Sequence, residues 1–310
     1  MPPPLSLISL AMAAGGGTVN GIEVRQLVAA GVTMLQRCAP LVRTLAGARG
    51  ALLLGSASDS VVALAACEGH GAVLLDPAWS AERIGAALEA SGARVVFTRA
   101  EYAAGVPSGV ALLSLDELPG HVRFSHGAME RRIDVGSHFG LTIEGEASEG
   151  SDEIAVVEIA TDANGASEPR ACTHRALLSA ARAVALGVAI RENDVVSCLA
   201  SLHDAAGIAA GLVAPAIAGA RTLTMDGSNI QATIRALHAG GCTVIVSDAR
   251  CIESIAHELI REGDSRTLAP LRAAVVVGQS PPAESAELWE RATGATLLHA
   301  PLPPHEAHSL

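Results

Sequence analysis

The sequence predicts an α/β protein of two lobes, each a mainly parallel β-sheet flanked by helices. Three observations carry this. Short apolar runs alternate with amphipathic segments across most of the 310 residues. The turns between them are short and bear Gly, Asp or Ser, as in βαβ units. Half of the residues are hydrophobic and 17% charged, enough apolar material for two fused cores and too much for a disordered chain.

Taken in order, Leu5 to Ala14 is apolar and ends in small residues, but lacks the basic start of an export signal. Gly15-Gly16-Gly17 follows no strand and opens no helix, so it reads as linker rather than a dinucleotide fingerprint. Ile22 to Leu45 carries Val24, Leu27, Val28, Val32 and Leu35 at helical spacing, with Asn20 and Gly21 as cap residues. Strands are expected at Ala51–Leu54, Gly71–Asp76, Ala93–Thr98 and Val110–Leu115, with helices at Ser56–Glu68 and Ser80–Ser91. Ser56, Ser58 and Ser60 lie near His70, but no nucleophile elbow surrounds them, so helix capping is the expectation. From Pro119 to Asp152 the alternation decays into a connection with one strand pair and an acidic stretch, Glu144 to Glu153. The lobe boundary is placed there, giving 1–150 and 151–310. The second lobe reads as strands at 154–160, 194–200, 221–225, 242–247, 271–277 and 295–299. Helices are expected at 173–189, 207–218, 229–239, 249–262 and 283–292, and a proline-rich tail follows.

Composition removes several functions. The formal net charge of −11 excludes a phosphate-binding basic face, so nucleic acid is not an expected partner. No apolar run reaches the ~18 residues of a membrane span. The six cysteines form no C-x-x-C pair and read as buried thiols of a reducing, cytoplasmic compartment. The eleven histidines show no metal spacing, so no metal site is assigned. All 21 basic residues are Arg. Chemistry that needs an ε-ammonium must therefore take it from another chain.

Three phrases resemble one known family. They are "ALLLGSASDSVVALAACEGHGAVLLDPAWSAERIGAALEASGARVVFT", "THRALLSAARAV" and "SLHDAAGIAAGLVAPAIAGARTLTMDGSNIQATIRALHAGGCTVIVSDA". Their order and spacing resemble the large N-terminal domain of the acyl-CoA synthetases and other adenylate-forming enzymes. The resemblance implies an ATP-phosphate loop before Thr173-His174, close to T-S-G-T-T-G-x-P-K-G, with backbone and hydroxyl donors and a lysine. Here that stretch runs from Thr161 through Asp162, Asn164 and Gly165 to Glu168 and Thr173. Counting back from Thr173, Thr161 stands for the family's Ser, Asp162 and Gly165 for its glycines, and Glu168 for its Lys. A shift of two residues pairs Pro169-Arg170 with the family's Pro-Lys. Either register brings carboxylates to a loop that meets triphosphate in the family.

The resemblance also implies an acyl pocket at His203, Asp204, Gly207 and Gly211. His203 would stand beside the carboxylate to be activated. The plainer reading of His203-Asp204 is a helix cap beside a packed histidine. Gly278-Gln279-Ser280-Pro281 takes the place of the family's adenine-side Gly-Gly-Ala-Pro, and the metal-binding turn after it reads A-P-L-P-P. The expectation is a non-catalytic relative that binds a hydrophobic acyl or aryl acid or a protein partner. It would use no cofactor and self-associate or pair with another protein. The alternative is an active ligase, or ligase half, that uses ATP and Mg²⁺ once a separate chain completes it.

Overall fold

The computed structural model describes residues 7–38, 49–67, 71–118, 120–135, 152–161, 166–225, 227–261, 268, 270–300 and 303–304. Helix α1 (Leu7–Gly15) opens the described chain. Strands β1 (Thr18–Val19) and β2 (Ile22–Glu23) follow, then helix α2 (Val24–Cys38). The expected helix at Ile22 thus starts two residues later. Asn20 and Gly21 are the two central residues of a hairpin turn, with φ of 50° and 81° and Val19 paired to Ile22. Asn-Gly is the dipeptide that tolerates positive φ at both positions, so it makes this turn rather than a helix cap.

The chain divides into two compact units, one of Met1–Ala13, Val24–Ala176 and Pro304–Leu310, the other of Ala14–Glu23 and Leu177–Pro303. This division differs from the expected one at residue 150. In the first unit the elements are β3 (Arg49–Leu53), α3 (Ala57–Ala66), β4 (Ala72–Leu74), α4 (Ala81–Ser91), β5 (Ala93–Thr98), α5 (Ala100–Ala103) and β6 (Ala111–Ser114). They continue through β7 (His121–His126), β8 (Met129–Asp134), β9 (Ile154–Thr161) and β10 (Ser167–Thr173). The sheet order is β10-β9-β4-β3-β5-β6-β7-β8. Its six central strands, β9 to β7, include four parallel pairings, and antiparallel hairpins close both ends. Strand β9 joins this sheet because it pairs in parallel with β4, Ala72 to Val156 and Val73 to Val157. Strand β3 is buried along most of its length and reads as a continuous apolar run, the pattern of a strand covered on both faces.

Local signals fix the helix ends. Ser80 caps α4 by accepting from Arg83 N, and Gly92 ends it at φ 70°. Leu53, Val73, Leu75, Ile84, Val96 and Val157 form the first core. Each such buried side chain contributes about 1.5–3 kcal/mol relative to exposure.

Helix α6 (His174–Gly187) leads into the second unit. There follow β11 (Val195–Cys198), α7 (Ala205–Ile208), a π-helical turn (Ala209–Val213), α8 (Ala214–Ile217), β12 (Arg221–Thr224), α9 (Ile230–Gly240), β13 (Val244–Asp248), α10 (Ala249–Arg261), β14 (Ala273–Val277), α11 (Ala283–Thr293) and β15 (Thr296–His299). The sheet order is β15-β14-β13-β11-β12-β1-β2, parallel except at β1–β2. Its core packs Ile245, Ile252, Ile255, Val276 and the fully buried Trp289. Asn20 ties the N-terminal hairpin to this sheet: its Oδ1 accepts from Thr224 N at 2.9 Å and its Nδ2 donates to Thr224 Oγ1 at 3.2 Å. No described helix is long and apolar enough to cross a membrane.

Candidate functional site

The second sheet has its topological switch beside β11. Strand β11 is followed by β12 on one side, and the chain then crosses to β13 on the other. In open parallel sheets, ligands bind outside the carboxyl ends of the strands at such a point. The residues that follow those ends are Leu199–Asp204 after β11, Met225 after β12, Ala249 after β13 and Gly278 after β14. The expected acyl-pocket and adenine-side residues of the second unit, His203 to Gly211 and Gly278 to Pro281, therefore share one sheet edge. The β11 loop is held there by Leu199 N and Ala200 N, which both donate to Val246 O, at 2.8 and 3.0 Å.

Asp204 is the N-cap of α7, accepting from Gly207 N. The cap reading of this residue is thus the observed one. Burial raises the Asp204 carboxyl, against the opposing pull of the Gly207 hydrogen bond and of His203. His203 is half-buried, and its backbone N donates to Ser201 Oγ at 3.1 Å. The helix begins at Ala205, earlier than expected, and is fully buried through Ala216. Its middle is a π turn in which Ala214 N–H reaches back to Ala209 O. Pro215, which has no N–H to give to the residue four before it, accounts for the irregularity. A β-carbon on Gly207 would overlap the Ser201 carbonyl oxygen, and one on Gly211 would overlap Cys198 Sγ. Both positions need Gly because the helix lies against the β11 loop and strand. Burial pushes the Cys198 thiol up to about 12, so it packs as an apolar group.

At the end of β14, Gly278 takes φ 83° and its carbonyl lies 2.9 Å from His299 Nε2, which donates to it in that tautomer. Gln279 and Ser280 are exposed and Pro281 is half-buried.

The described residues of the expected phosphate loop, Thr161 and those from Ser167 to Thr173, belong to the β9–β10 hairpin of the first unit. Asp162, Asn164 and Gly165 lie outside the described residues. The segment expected to be loop up to Thr173 is strand from Ser167 onward, paired antiparallel with β9. Thr161 ends β9, and its Oγ1 accepts from Arg83 Nη2 at 3.3 Å. Arg83 also lies over the Trp79 ring, 4.1 Å from its centroid. Glu168 is exposed and accepts from Arg170 Nη2 at 2.8 Å. Arg170 stands opposite Glu158 across the pair. Along this stretch the hairpin therefore carries two carboxylates and one guanidinium. Thr173 is fully buried and caps α6, accepting from Ala176 N at 3.3 Å. Next to it, burial lowers the His174 imidazole to about 4, and its Nδ1 has no hydrogen-bond partner among the described residues.

Arg83 and the topological switch were not singled out from sequence. Arg83 sits in the first turn of a helix far from Thr161 in the chain, with no local pattern to mark it. Among the described residues no group of three or more His, Cys, Asp and Glu is arranged to hold a metal ion.

No protein-family model matches the sequence, and no curated protein matches it. Solved structures do. The chain is similar to MatB from Rhodopseudomonas palustris at 14% identity and TM-score 0.68, covering 95% of this chain and 59% of that one. It is similar to the anthranilate CoA ligase AuaEII, in complex with anthranoyl-AMP, at 14% identity and TM-score 0.73, covering 96% and 59%. VinN, in complex with L-aspartate, matches at 16% identity and TM-score 0.71, covering 95% and 75%. The fold is that of the large N-terminal domain of the adenylate-forming enzymes. The chain spans 59% of the length of MatB and of AuaEII.

Proposed function

We propose that this chain is a non-catalytic relative of the adenylate-forming enzymes, binding a hydrophobic acyl or aryl acid, or a protein partner, without activating it. The observation that carries this is the β9–β10 hairpin, where Glu168 is paired to Arg170 in the segment expected from the sequence to stand for the family's phosphate loop. A phosphate oxygen ~4 Å from a carboxylate near the surface costs about 4 kcal/mol, and about 1 kcal/mol under full solvent screening. No lysine exists in the chain to offset it. The carboxyl edge of the second sheet keeps a buried small-residue helix beside His203, which supports a ligand at that edge. The anthranoyl group in the AuaEII complex favours the aryl class. The chain is further expected to self-associate, as a dimer, or to pair with another protein.

Calorimetry with Mg-ATP and with a panel of acyl and aryl acids tests this reading. Heat from an acid, unchanged by nucleotide, is expected. Tight Mg-ATP binding, or ATP–pyrophosphate exchange by the chain alone, overturns it. One observation favours the second reading, an active ligase half completed by another chain. Arg83, stacked on Trp79, brings a cation to Thr161 at the hairpin mouth. That reading predicts pyrophosphate release only when the second chain is added.

A further inference from the structure

Each sheet has two edges, and an edge strand that offers unpaired N–H and C=O groups is a template for another strand. Three of the four edges are protected. Strand β8 carries Glu130, Arg131, Arg132 and Asp134. Strand β10 carries Glu168, Pro169 and Arg170. Strand β2 is two residues long and runs straight into α2.

Strand β15 differs. It reads Thr296-Leu297-Leu298-His299, with no Asp, Glu, Lys or Arg and no proline. Its inner side is fixed to β14: Thr296 N donates to Arg272 O at 3.2 Å, and Ala300 N to Val276 O at 2.8 Å. Alternation along a strand then turns the N–H and C=O groups of Leu297 and His299 outward. No described strand pairs with that outer side.

We propose that the β15 edge is where two copies of this chain meet, by antiparallel strand pairing. This rests on the self-association stated above and names its surface. Charge selects the occupant. Antiparallel pairing sets outward-facing residues opposite outward-facing ones, so a two-fold pairing is centred on a residue: centred on Leu297, it sets Leu297 opposite its own copy and Thr296 opposite the second copy's Leu298, and no like charges meet. The equivalent pairing of β8, centred on Glu130, Arg131 or Arg132, sets that charge opposite its own copy, which opposes it. Four residues per strand fall short of the ~1,200 Å² of stable complexes, so the dimer is weak, with a Kd of about 10–100 µM.

Sedimentation equilibrium of the full chain between about 5 and 500 µM tests this. The wild type is expected to pass from monomer to dimer across that range. Thr296→Lys, which puts a charge on the edge, and Leu297→Pro, which removes an outward N–H, should each weaken the dimer at least ~10-fold with far-UV dichroism unchanged. If Leu297→Pro does not fold, Thr296→Lys decides. A wild-type dimer that both variants leave intact overturns the edge assignment but keeps self-association. A wild type that is monomeric at every concentration overturns both, and leaves the acid-binding reading to its own calorimetric test.

Discussion

Replacing Arg272 by Ala should destabilise the second unit by about 2–3 kcal/mol at neutral pH. Asp194 stands at the start of β11, its carboxylate only 9% exposed. It accepts from Arg272, from Thr243 Oγ1 at 2.7 Å and from Arg191 N at 2.8 Å. Arg272 also donates to Val188 O and to Ala189 O, holding a turn in which Ala189 takes φ 51°. Removing one partner of a buried pair costs about 3–5 kcal/mol, and the 37% exposure of Arg272 discounts that toward the lower figure. The loss should appear as a fall in Tm of about 5–10 °C. Burial alone would raise the Asp194 carboxyl, but the hydrogen bonds from Arg272, Thr243 and Arg191 hold it below its ordinary value. Its stabilisation is therefore present above the unfolded pKa of about 3.9 and is lost as pH falls through the folded value. In Arg272→Ala the burial effect is left weakly opposed and the carboxyl rises, so wild type and variant should converge in stability below about pH 4. Thermal melts followed by circular dichroism from pH 7 to 3.5 measure both effects. A Tm change within about 1 °C at neutral pH, or a gap that persists undiminished at acid pH, refutes the reasoning.

Other outcomes follow from the same geometry. Gly207→Ala should cost more than about 2 kcal/mol in urea unfolding, because its β-carbon would overlap the Ser201 carbonyl and the α7 cap must shift. Gly21→Val should destabilise by more than Gly21→Asn, since φ of 81° in the β1–β2 turn penalises a β-branched side chain. His174 should stay neutral from pH 8 to 5 by NMR. Its folded pKa lies below the unfolded one, so the native state loses up to about 3 kcal/mol as pH falls from 6.5 toward 4. Among the cysteines, Cys251 is the least buried, so it should react with a thiol reagent before Cys38 and Cys198, whose thiols burial pushes to about 12.

Period and turn chemistry made most of the elements legible. Strand β5 starts and stops at the expected residues, and helix α4 ends at the expected Ser91 and starts one residue late because Ser80 is its cap. The misreadings share a cause. Asn20-Gly21 satisfies both a helix-start and a hairpin pattern, and only pairing with β12 across some 200 residues decides between them. Strand β9 is indistinguishable in sequence from the strands that follow it. Its membership of the first sheet depends on a parallel register to β4 that no local signal encodes. The site behaves likewise: Asp204 as a cap was legible within four residues, whereas Arg83 reaching Thr161 was not.

The two candidate regions, one in each unit, carry unequal weight. Gly207 and Gly211 are each explained by backbone approach alone, one to the Ser201 carbonyl and the other to Cys198. Their presence reports how closely the helix lies to β11, and they would be required whether or not a ligand bound there. Glu168 has no such packing role. It is exposed, its side chain pairs with Arg170 of the same strand, and the fold does not need a carboxylate at that point. A surface position free of structural demand records a functional demand more directly than a buried glycine does. Changing Glu168 to Lys should therefore leave Tm within about 2 °C of wild type, as surface substitutions do. It should raise the affinity of the hairpin for Mg-ATP, because Arg170 is released and a carboxylate is removed. If Glu168→Lys binds nucleotide no better than wild type, charge opposition at the hairpin is not what governs nucleotide binding there, and the proposed non-catalytic reading loses its main support.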